Sequence, residues 1–115
     1  MTSLDEKNIL VIISSPPFRN LNGYEALRAS IALIDHMVKI VWTQDGVYSA
    51  LQATKNKMAQ PIMRLADDLD IELYVYEKDL QKRNLQGQEL AENIETMSHE
   101  GFLEELISSD IVMTF

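Results

Sequence analysis

The sequence contains no cysteine. That excludes disulfides, thiolate metal sites, persulfide chemistry and a cysteine nucleophile for this chain acting alone. Its two histidines, His36 and His99, lie far apart, and neither belongs to a His/Asp/Glu grouping with metal-ligand spacing. Helix-terminus roles are the ordinary reading for both, and the residues call for no metal and no cofactor. Basic residues are scarce: 10 against 18 acidic ones leave a formal charge of −8. Such a surface repels phosphate backbones, so no direct nucleic-acid partner is expected. No apolar run approaches a membrane span. Met1 to Glu6 shows neither a basic n-region nor a long apolar h-region, so the expected location is the cytoplasm.

With 115 residues, 46% of them hydrophobic, the chain is expected to form one domain over 1–115, with a real core but marginal as a lone monomer. Its organising stretch is Asn8 to Pro17. Ile9 to Ile13 is apolar on both faces, as in a strand buried on both sides of a parallel sheet. Pro16 and Pro17 cannot donate to a ladder, so the strand stops there. The loop from Ser14 to Gly23 then lies at a strand's carboxyl end, where open α/β sheets keep their sites.

A helix is predicted over Tyr24 to His36, capped by Asn22 or Gly23. Leu27, Ile31 and Ile34 form its stripe, flanked by Ala26, Ala29, Ala32 and Leu33. The polar remainder is thin, so more than the sheet is expected to cover this helix. Val38 to Thr43 alternates as a strand, with Val38, Ile40 and Trp42 on one face. Gly46 permits close backbone approach, and Asp45 before it reads as a turn-capping residue. A short helix over Val47 to Gln52 and an exposed loop over Ala53 to Ala59 follow. Pro61 opens a helix that buries Ile62, Leu65, Ala66 and Leu69. Ile71 to Tyr76 is the third strand and Lys78 to Arg83 a short helix, closed by Asn84 in the left-handed region. Asn93 to Met97 is a fourth strand. Ser98 caps a helix that turns Phe102, Leu103, Leu106 and Ile107 inward and Glu104 and Glu105 to water. Asp110 to Phe115 closes the chain. The fold class is α/β, a three-layer sandwich with a mostly parallel five-stranded sheet.

Chemistry is harder to find. The Ser14–Pro17 loop lacks the glycines and run of hydroxyls that wrap a phosphate. Ser15 has no base supplied by sequence, and no constellation supports Asp45 or Tyr76 as an acid or base. Tyr74 and Tyr76 read as packing residues with wet hydroxyls.

Four segments, in order, nevertheless resemble one family. The first strand ends in Ser-Ser-Pro-Pro and leads to Tyr24-Glu25-Ala26-Leu27-Arg28-Ala29; the second ends in Asp45-Gly46-Val47-Tyr48. The third runs into Asp79-Leu80-Gln81-Lys82-Arg83-Asn84-Leu85, where the family has a short helix and Arg-Gly-Leu. The chain finishes on Ser109-Asp110-Ile111-Val112-Met113-Thr114-Phe115. In these features it resembles the DsrE/DsrF-like sulfur-relay proteins, the DsrF/TusC subunit type most closely.

The resemblance implies a flavodoxin-like sheet and a place in persulfide relay, for tRNA 2-thiouridine synthesis or sulfur oxidation. It implies a homo-oligomer (trimer or hexamer), or a mixed complex with DsrE/TusD-like and DsrH/TusB-like subunits. The family's sulfur-carrying cysteine, seven residues before that arginine, falls here on Tyr76. A phenol forms no persulfide. Tyr76 then either lines a partner's pocket or fills space at a subunit contact, a common place for tyrosine. The expectation is a non-catalytic subunit, with Ser15, Pro16, Pro17, Phe18, Asp45, Gly46, Tyr48 and Arg83 as candidate pocket or interface residues. The alternative is a nucleotide- or flavin-binding protein using the loops at the strand ends.

Overall fold

In the computed structural model, which describes residues 6–17, 21–33, 35–54 and 60–115, the elements follow as β1 (Asn8–Ile13), α1 (Asn22–Ala32), β2 (Met37–Trp42), α2 (Gln60–Asp68), β3 (Glu72–Tyr76), α3 (Glu77–Lys82), β4 (Ile94–Met97), α4 (His99–Ser108) and β5 (Ile111–Thr114). The sheet order is β4-β3-β2-β1-β5, and every neighbouring pair is parallel. The chain steps outward from β1 to β4, then returns past the sheet to β5. Right-handed crossovers that travel in opposite directions put their helices on opposite faces. This single reversal therefore leaves α4 as the helix of the second face.

The first face is well covered. Ile9, Val11 and Ile13 of β1, Val38, Ile40 and Trp42 of β2, and Leu73 and Val75 of β3 pack against Ala26, Leu27, Met63, Ala66 and Leu80. Trp42 is fully buried at its centre. The second face is thinner: Leu10, Ile12, Val41 and Met97 meet Tyr74, Tyr76, Phe102 and Leu106. Lys39 also lies under α4, where its Nζ stands 2.6 Å from Glu105 Oε1.

Several expectations are corrected. α1 starts at Asn22 with Leu21 at its cap and no side-chain cap bond, and it ends at Ala32. The turn that follows delivers Met37 N to Lys7 O at 3.0 Å, aligning β2 beside β1. Its exposed residues are Asn22, Glu25, Arg28 and Ala32, so among the described residues of α1 no large apolar side chain is left uncovered, although Leu21 at its cap is exposed. Instead of one helix, two 3-10 segments span Gln44–Ala50 and Gln52–Thr54. α2 buries Ala66 and packs Leu69 against the core as expected, but it buries Met63 and leaves Leu65 exposed. No residue of α4 is fully buried: Leu103 and Ile107 are exposed, and Glu105 turns inward to Lys39 instead of to water. Asn84 does adopt a φ of 55°, and Ser98 Oγ does cap α4 by accepting from Gly101 N at 3.0 Å. Phe18, Ile34, residues 55–59 and the side chain of Ile62 lie outside the described parts.

The asymmetry between faces sets mutational cost. Trp42→Ala removes a fully buried ring and is expected to cost about 3–5 kcal/mol. Ile107→Ser, at an 85% exposed position, is expected to change stability by no more than about 0.5 kcal/mol. Urea unfolding of the two variants measures both.

Candidate functional site

The end of β1 decides the geometry of the site. Gly46 N donates to Ser14 O at 3.1 Å and to Thr43 O at 2.9 Å, and Thr43 N donates to Ile13 O at 2.9 Å. A Cβ on Gly46 would stand 2.2 Å from Ile13 O, so only glycine permits this approach. The β2 turn is thereby folded directly onto the carboxyl end of β1. On the other side, Ser14 N and Ser14 Oγ both donate to Phe115 O, at 2.9 and 3.1 Å, tying β5 to the same point.

Gln44 leaves β2 with a φ of 50°, which aims its N–H at Asp79 Oδ2, 2.6 Å away. Asp79 is buried, and its other oxygen lies 3.6 Å from Arg83 Nη1. Arg83 Nε and Nη2 donate to Asp45 Oδ1 at 3.1 and 3.0 Å. One guanidinium thus clamps the β2 turn to α3 through two carboxylates. Asp45, expected to cap its own turn, pairs with this distant arginine. Asp79 is a site residue the sequence reading missed; its spacing of four from Arg83 on a helix was the available signal.

Between these loops and α4 lies a cleft of about 490 Å³, at the point where strand order reverses between β1 and β5. Ile12, Phe102 and Tyr76 supply its apolar wall; Ser14, Thr43, Thr114, Lys82, Arg83 and Asp79 supply its polar one. Tyr76, the last residue of β3, stacks on Phe102 with ring centroids 4.8 Å apart. Its Oη is 2.5 Å from His99 Nδ1, a hydrogen bond whose donor depends on the imidazole tautomer. Partial burial, and then the charge of Asp79, push the Tyr76 phenol above its ordinary pKa. Tyr74, beside it on the sheet, donates to Glu72 Oε1 and is pushed up to about 12 by that bond, by burial and by nearby carboxylates.

The structure therefore brings Tyr76 and Arg83 into one cleft, with Asp45 and Gly46 immediately behind it. Ser15, Pro16 and Pro17 are half-buried in the neighbouring loop, where Ser15 Oγ accepts from Asn22 Nδ2 at 3.4 Å, and they do not line the cleft. Tyr48 is exposed and also stands apart, its carbonyl accepting from Thr54 Oγ1. Phe18 lies outside the described residues. Among those residues no group of acidic or histidine side chains could hold a metal, and no helix is long and apolar enough to cross a membrane.

Removing the buried carboxylate leaves Arg83 half-paired and the Gln44 amide without its acceptor. Asp79→Ala is expected to lower stability by about 3 kcal/mol and to loosen the 44–50 turn first. Hydrogen exchange at Gln44 and Gly46, alongside urea unfolding, reads both effects.

The fold accords with the comparisons. No functionally curated protein matches the sequence. The solved YchN protein from E. coli superposes with a TM-score of 0.83, covering 95% of this chain and 99% of YchN at 18% identity. At that identity the likeness establishes the fold alone, an α/β sandwich of flavodoxin-like type. The sequence model of the DsrE/DsrF-like family matches residues 7–115, from the first strand to the last residue. On that match the chain belongs to the DsrE/DsrF-like family.

Proposed function

We propose that this protein is a subunit of a sulfur-relay assembly that carries no sulfur itself, of the DsrF/TusC type. Membership of the family supports a sulfur-relay-type role. The finer reading rests on a chain with no cysteine anywhere, and on Tyr76, the position that the motif resemblance matches to the relay cysteine, counted back seven residues from Arg83. A persulfide needs a soft sulfur that accepts and releases sulfane sulfur, and a phenol oxygen does neither. Tyr76 is also held in place, stacked on Phe102 and bonded to His99, so its role begins as packing between β3 and α4. Through that packing it shapes the cleft wall, which suits either a partner's pocket or a subunit contact.

A second reading rests on the cleft. Its position at the strand-order reversal, with Lys82 and Arg83 on one wall, suits a small anionic ligand such as a nucleotide or flavin. Against it stands the Ser14–Pro17 loop, which offers no glycine-rich wrap for a phosphate.

Native mass by light scattering, for the protein alone and after co-expression with its genomic neighbours, separates these. The subunit reading expects a defined mixed complex with DsrE/TusD-like and DsrH/TusB-like chains, or a trimer or hexamer of this chain. A monomer under both conditions, together with a melting temperature raised by a flavin or nucleotide, would instead support the ligand-binding reading.

A further inference from the structure

Charge is unevenly divided along this chain. Residues 84–115 contain seven acidic residues and no lysine or arginine, so they hold all but one unit of the net charge of −8. These residues build β4, α4 and β5. Within them lies the most exposed large apolar side chain of the described residues, Ile107 at 85%, with Leu103 one turn before it on α4. β5 follows after two residues as an edge strand paired with β1, and its exposed Val112, in register with Leu10, lies on the α4 side of the sheet, whereas Ile111 faces the other side. The exposed Glu100 and Glu104 share this stretch of α4 with Leu103 and Ile107, and the exposed Asp110, which accepts from Asn8 N at 2.8 Å, follows it; Glu105 is spent on Lys39.

We propose that the α4–β5 surface is a docking face for a different polypeptide, one that presents an apolar segment rimmed by lysine or arginine. Charge complementarity selects that occupant. Two copies of this chain meeting through the same face would set Glu100, Glu104 and Asp110 of one against those of the other, a juxtaposition that costs association. Nucleic acid and anionic lipid are repelled by the same carboxylates. A partner with a basic rim gains on both counts, since apolar area is buried at the centre and the rim speeds encounter. The inference rests on the subunit reading for the existence of a natural partner; the face and its chemistry stand on the residues alone.

The test uses synthetic peptides on the full chain. An amphipathic leucine/lysine peptide is titrated by calorimetry, with a leucine/glutamate peptide of the same pattern as its opposite. Tight, salt-sensitive binding of the first and none of the second is expected. The double variant Leu103→Ser/Ile107→Ser and the rim variant Glu100→Lys/Glu104→Lys should each weaken binding about tenfold, and Leu65→Ser on α2 should leave it unchanged. Equal binding to the double variant would overturn the proposal. So would a homo-oligomer that the double variant dissolves, because a second copy would then own the face. Peptide binding by a protein that stays monomeric both alone and on co-expression would support the face while refuting the subunit reading. A mixed complex that survives both variants would do the reverse.

Discussion

The structure depends on one close approach, the Gly46 backbone against the Ile13 carbonyl. With a methyl group at that position Ile13 O would be met at 2.2 Å, and the β2 turn could not lie across the end of β1. Because it does lie there, Gln44 faces Asp79, Arg83 reaches Asp45, and the carboxyl ends of three strands are joined into one rim. Ser14 completes it by holding Phe115. The cleft is what remains between that rim and α4.

Single-helix cover on the second face follows from topology, and it explains much of the rest. A sheet face shared by Leu10, Ile12 and Val41 with Lys39 and two tyrosines cannot be sealed by apolar packing alone. α4 is held by an ion pair, a ring stack and a hydrogen bond as well as by Phe102 and Leu106. The same thin cover leaves Leu103 and Ile107 outside, in the most acidic third of the chain. A family that relays sulfur between chains requires surfaces for other chains, and this side of the molecule has the uncovered apolar area that α1 lacks.

Much of this was legible in the sequence. Alternation and short apolar runs located all five strands, and the Asp-Gly pair located the tight approach at Gly46. Asn84 and Ser98 were readable because local backbone chemistry decides them. Rotations of helices were not: Leu65, Leu103 and Ile107 satisfy a helical stripe in sequence, yet the inner line is fixed by which face the crossover lands on. The first helix misled in the same way, since alanines pass for apolar surplus although they cover little area. Arg83 was singled out without its partners, because a link from residue 83 to residue 45 has no local signature. The Tyr76–His99 bond across 23 residues was invisible for the same reason.

The most direct test of the account is sulfur transfer in the co-expressed complex, prepared with and without this chain and fed radioactive sulfur through a cysteine desulfurase. The account predicts label on a cysteine of a partner subunit, none on this chain, and loss of transfer when this chain is left out. Undiminished transfer in its absence would contradict it.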